Sequence, residues 1–168
     1  MSLLPTVHDL RSQAALLCQR PYGVIVIEDG YLQGIQLRPW PKIIAASDVW
    51  GLGGWLSGRT SGNYCRLYYN QPCRHRRFLA LKYIISGYGA TFRTFRSALI
   101  ILDEIARLKR TDAIVAEVRN LRISDRLLAR WGWESHMPTS RRRHFIKRFY
   151  GSYPDPQAAW ALMSGPRP

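Results

Sequence analysis

Asn120-Leu-Arg-Ile-Ser-Asp-Arg-Leu-Leu-Ala-Arg-Trp-Gly-Trp133 sits at the centre of a run, Phe92 to Tyr150, that reads helix, buried strand, short helix, strand, strand. From Phe92 to Lys109 the apolar spacing is helical, with Phe95, Ala98, Leu99, Leu102, Ile105 and Ala106 on one face. Arg107, Lys109 and Arg110 stand at its C-terminal end, where cations oppose the helix dipole. Asp112–Val118 is short and nearly all apolar, the signature of a strand covered on both faces. Ser124 can cap the next helix, and Ile123 with Leu128 fits a hydrophobic staple around that cap. Gly132 is the expected helix stop, and His144–Phe149 reads as the last strand.

Working towards the N-terminus, Ser86-Gly87-Tyr88-Gly89 breaks a preceding strand. Tyr64–Asn70 and Arg77–Ile85 are rich in aromatic and β-branched residues, as a half-buried antiparallel pair requires, with a turn at Asn70-Gln71-Pro72-Cys73. Tyr22–Glu28 and Tyr31–Arg38 flank Asp29-Gly30, the strongest short hairpin signal. Thr6, followed by Asp9, Leu10, Ala14 and Leu17, predicts a first helix that ends at Arg20-Pro21. Residues 39–62 form a connection rich in Trp and Gly, either a flap over a ligand or an irregular link pinned by Trp40, Trp50 and Trp55. Gly51-Leu-Gly-Gly54 lacks the Gly-Lys-Ser/Thr ending of a nucleotide loop. The tail, 153–168, is expected to be loosely held.

The 168 residues suit one domain with a real core. No apolar run is long enough to span a bilayer, and the N-terminus lacks the basic start and apolar core of a signal peptide. Cys18, Cys65 and Cys73 have neither an even count nor metal-site spacing, so reduced thiols, a cytoplasmic location and no metal are expected. The net charge of +14 is carried mainly by arginine, and no acid occurs between Asp48 and Asp103. A polyanion such as RNA or DNA, or a phosphorylated cofactor, matches that balance; an arginine-rich solvated surface is the plainer alternative.

The order from residue 64 to 150, with Gly132-Trp133 closing a short helix after a buried strand, resembles the C-terminal half of the GNAT acyltransferase family. The resemblance implies an α+β fold of the α/β three-layer type: a mixed, mostly antiparallel central sheet with flanking helices. It also implies acetyl-CoA or another acyl-CoA as co-substrate, with the acyl group passing to an amine acceptor. In that family the amides at the start of a long helix hold the coenzyme A pyrophosphate, since unpaired N–H groups and the helix dipole attract anions. The corresponding turn is Gly87-Tyr-Gly-Ala-Thr-Phe-Arg-Thr-Phe-Arg96, where Thr91, Arg93, Thr94 and Arg96 can supply hydroxyl and guanidinium groups to phosphate. Phe92 and Phe95 replace small residues of the family pattern, and Thr91 is also an ordinary N-cap candidate.

By the same resemblance Asn120 is a hydrogen-bonding candidate near the acyl-pantetheine end. The tyrosine that often protonates the departing thiolate falls at Leu127 or Leu128, which cannot donate a proton. Ser124 and His75 are the remaining catalytic candidates. Ser124 is also a helix cap, and His75, between Arg74 and Arg76, has neighbours that favour a neutral imidazole. The competing expectation is a non-catalytic basic module that docks on nucleic acid or ribosome. It would use Arg59–Arg77 and the Arg141-Arg142-Arg143-His144 run, with Tyr64, Tyr68 and Tyr69 for stacking.

Overall fold

The computed structural model describes residues 4–41, 62–118, 123–139 and 141–165. Asp29 and Gly30 both adopt left-handed backbone angles, φ 50° and 84°, which is what a two-residue turn between twisted strands requires. That turn joins β2 (Tyr22–Glu28) to β3 (Tyr31–Arg38). Along β2 and its other neighbour, β4 (Tyr64–Asn70), Ile25, Ile27, Cys65, Leu67 and Tyr69 alternate onto one buried face. β5 (Phe78–Ser86) pairs antiparallel with β4 and then parallel with β6 (Ala113–Glu117). The parallel pairing requires a crossover, and α2 (Phe92–Leu108) supplies it.

Eight described strands form one open sheet in the order β1 (Thr6–Val7), β3, β2, β4, β5, β6, β8 (His144–Arg148), β7 (Glu134–His136). β7 is an edge strand, and β8 inserts between it and β6. The protein is thus an α+β fold with a mixed, mostly antiparallel sheet and four described helices. α2 lies across β2, β3 and β4 and buries Ala98, Leu99, Ile101, Leu102, Ile105 and Ala106. Each large aliphatic side chain buried there contributes about 1.5–3 kcal/mol. α3 (Asp125–Arg130) is capped by Ser124, whose hydroxyl accepts from the Leu127 amide at 3.2 Å, and Gly132 follows it at φ 81°.

Two expectations are corrected. Thr6–Val7 is not helical: it forms β1, whose β-branched residues pair with Gln36 and Ile35 on the edge of β3. Asp9 instead organises a turn, accepting from the Arg11 amide and the Ser12 hydroxyl, and the helix α1 is only Ala14–Gln19. The tail, as far as residue 165, is held in place. Its α4 (Pro156–Ala161) is capped by Asp155, buries Ala159 against the core and packs on α2. The Leu32 amide donates to Leu162, and Tyr153 donates its hydroxyl to the Thr111 carbonyl at 2.8 Å. These long-range bonds come from elements far apart in sequence, so no local pattern announces them.

Candidate functional site at the parting of the parallel strands

β5 and β6 stay in register only from Phe78/Ala113 to Leu81/Ala116. β5 then continues to Ser86, whereas β6 ends at Glu117, so the two strands separate towards their carboxyl ends. A bulge in the β4–β5 ladder, between Tyr68 and Tyr69, accompanies the separation. This is the parallel step of a sheet whose other described pairings are antiparallel, and open sheets bind ligands in the crevice outside the carboxyl ends of their parallel strands. The strand ends lead into the turn before α2 on one side and into Ile123 and α3 on the other.

The turn is tightly built. The Gly87 amide donates to the Tyr64 carbonyl at 3.1 Å, and the Ala90 amide closes back onto Gly87. A side chain at Gly87 would collide with the Gly62 carbonyl and the Tyr64 ring, so only glycine fits. Thr91 is the N-cap of α2, its hydroxyl accepting from the Thr94 amide at 3.2 Å. The Asn63 carboxamide oxygen sits directly before the helix, accepting from the Thr91 amide at 3.0 Å and the Thr94 hydroxyl at 2.6 Å. The amides of Tyr88, Gly89, Phe92 and Arg93 have no partner among the described residues.

The expected site residues are not all gathered here. Thr91, Arg93, Thr94 and Arg96 share the start of α2, but Thr94 is fully buried and faces Asn63 rather than solvent. The Arg93 guanidinium lies over the Tyr31 ring at 5.5 Å, beside the β2–β3 turn. Arg96 lies over Trp131 at 5.2 Å, and one of its terminal nitrogens is buried without a partner among the described residues. Burial pulls the Arg96 pKa down, opposed by the charge of Asp103. Phe92 points to solvent, while Phe95 tilts against Trp131 at 5.6 Å. Neither phenylalanine occupies the position of Asn63.

Ser124 is engaged as the cap of α3. His75 is exposed in the β4–β5 hairpin, at the opposite end of the nine-residue β5, about 30 Å from Ser86 by strand rise. It is therefore not part of this site. Asn120 and Arg59 lie outside the described residues, as do Trp50 and Trp55.

Of the tyrosines expected to stack, Tyr64 and Tyr68 lie on the sheet face away from α2, with Arg66 and Arg38 over their rings at 5.8 and 5.6 Å. Tyr69 does not stack on anything from solvent, because it is fully buried beneath α2 in the alternate register position. Burial raises its pKa. Two arginines of the basic run are engaged within the protein: Arg142 pairs with Glu117, and Arg143 pairs with Asp125 and donates to the Ile123 carbonyl.

Sequence reasoning missed Asn63, Trp131 as a stacking partner, and a buried pair between α2 and β8. In that pair the Lys147 ammonium donates to Asp103 at 2.6 Å. Burial raises the Asp103 pKa, opposed by the charges of Lys147 and Arg96. An acid inside an otherwise apolar helix face was the available signal.

Among the described residues no group of three His, Cys, Asp or Glu is arranged to hold a metal, and no helix is long and apolar enough to cross a membrane. The three cysteines are free. No family model matches the chain, and no curated protein matches it.

Proposed function

We propose that the chain is a GNAT-like protein that binds acyl-CoA where β5 and β6 part, and that it passes an acetyl or longer acyl group to an amine. The observation that carries this reading is the separation of the parallel pair after Leu81/Ala116, directly beside the start of the long crossover helix. The pantetheine arm, itself an amide chain, would bond the strand edges that the separation leaves unpaired. The diphosphate would meet the amides of Tyr88, Gly89, Phe92 and Arg93, with the Arg93 side chain nearby. In the transfer, the neutral amine nitrogen bonds to the thioester carbonyl carbon. The carbon–sulfur bond then breaks, the nitrogen loses a proton, and the thiolate gains one. Neither Leu127 nor Leu128 can supply that proton, so the thiolate would take it from solvent.

Coenzyme A tests the binding claim. A ligand that binds only the folded state at a hundred times its dissociation constant adds about 2.7 kcal/mol, a Tm rise of roughly 5–10 °C for a chain of this size. Arg93→Ala should reduce the rise. No shift at millimolar coenzyme A removes the reading. Release of free thiol from acetyl-CoA with a panel of amines then separates a transferase from a binding protein.

A further inference from the structure

Two residues other than glycine occupy left-handed backbone positions on the walls of one cleft, at the far end of α2 from the turn just described. Arg110 has φ 52° at the position after the α2 cap, where glycine is the usual occupant, and Tyr150 has φ 47° just before Gly151. Both side chains hold strained backbone where a glycine would not, and both are exposed, Tyr150 to 72%. The cleft has a volume of about 860 Å3, and its walls also carry Arg77, Arg107, Asp112 and Tyr153. The 17-residue α2 separates it from the Gly87–Arg96 turn by about 25 Å.

The cations here differ in what they already hold. Arg107 grips Glu104 through two bonds of 2.7 Å, and Arg77 grips Asp112 through bonds of 2.8 and 2.7 Å. Asp112 is thereby neutralised, and Asp155 is occupied as the α4 cap. The Arg110 guanidinium has no hydrogen-bonding partner among the described residues. The backbone that carries Tyr150 is anchored, because the amides of Phe149 and Tyr150 both donate to the Asp112 carbonyl. Beyond Arg77, the hairpin continues the basic wall with exposed Arg74, His75 and Arg76.

We infer that this cleft binds single-stranded nucleic acid, with a base stacked on Tyr150 and the adjoining phosphate on Arg110. An exposed ring and a guanidinium without a partner among the described residues, on the walls of one cleft, match one base and one phosphate. The arginines that run on past the cleft match a strand longer than one nucleotide. The inference is independent of the acyl-CoA reading, since it uses none of the same residues.

Fluorescence anisotropy of a labelled oligouridylate of about ten nucleotides tests it. Binding should be measurable at low salt and weaken steeply as salt rises. Arg110→Gly removes the guanidinium while relieving the left-handed backbone, so Tm should hold or rise while affinity falls about tenfold and the salt slope drops by about 0.7. Tyr150→Asn, which tolerates the same backbone, should cost about tenfold with the slope unchanged. Three outcomes overturn the inference: no binding at low salt, full affinity in Arg110→Gly, or coenzyme A displacing the oligomer. Uridine monophosphate competing as well as the oligomer, molecule for molecule, would overturn the extended-strand assignment.

Discussion

The Asn63 carboxamide oxygen accepts a 2.6 Å hydrogen bond from the buried hydroxyl of Thr94, tying the entry of β4 to the first turn of α2. Asn63→Ala leaves the Thr91 amide without its acceptor and the Thr94 hydroxyl with only the longer 3.2 Å contact to the Thr91 hydroxyl, so unfolding in urea should show a loss of about 1–3 kcal/mol. Asn63→Asp keeps the acceptor and adds a negative charge at the helix start, where the dipole favours it. Tm should therefore be maintained while coenzyme A binding weakens through repulsion of its diphosphate. If Asn63→Asp binds coenzyme A as tightly as the parent, the diphosphate lies elsewhere.

Gly87 has no room for a methyl group against the Gly62 carbonyl. Gly87→Ala should cost about 1–3 kcal/mol, the usual range for overpacking, by displacing the turn that leads into α2. Thermal denaturation reads the loss. Gly89→Ala, whose added atom meets the same carbonyl only at 3.3 Å, is the milder control. Equal effects at the two positions would contradict the packing argument.

Lys147 and Asp103 form an ion pair with both side chains at least nine-tenths buried. Lys147→Met strands the carboxylate in the core and should cost about 3–5 kcal/mol at neutral pH. Without Lys147 the folded-state pKa of Asp103 rises further above its ordinary 3.8, since burial already raises it. A group whose pKa is raised by folding loses its stabilising contribution as pH climbs through that folded value. The deficit of the variant should therefore shrink as pH falls towards 4. Asp103→Leu combined with Lys147→Met should recover most of the loss at neutral pH, and a double variant no better than the single one would refute the stranded-charge explanation.

Alkaline stability should follow two groups of opposite sign. Burial pushes the Lys109 pKa down to about 8, although its ammonium donates to the Arg20 carbonyl at 2.8 Å. A lowered lysine contributes stability above its ordinary pKa of 10.5 and loses it as pH falls through about 8. Burial pushes the Cys65 thiol up from 9.0 to about 12, so its contribution is lost as pH rises across that window. Unfolding free energy should thus rise modestly, by less than about 1 kcal/mol, between pH 8 and 9, and be offset above it. Cys65→Ala should lift the descending arm and leave the ascending one, which Lys109→Met should abolish.

Most elements were legible because their signals are local. Asp29-Gly30 specifies its turn through backbone sterics, the 3.6-residue apolar period specifies α2, and Ser124 with Gly132 brackets α3. Thr6 misled for the same reason: a capping pattern is local, but an edge pairing with Gln36 is not. The candidate site was half legible. Thr91 and its arginines could be read from their place before an apolar helix, whereas Asn63 arrives from a segment 28 residues away from Thr91.

The sequence by itself determined every described strand but β1, the long helix and the strong positive charge, because side-chain periodicity and backbone preference act over a few residues. Only the tertiary structure decided which strands are parallel, where β5 and β6 part, and that Arg110 and Tyr150 line one cleft. Those facts depend on hydrogen bonds and packing between residues distant in the chain, and nothing in a local pattern encodes which distant partner is chosen.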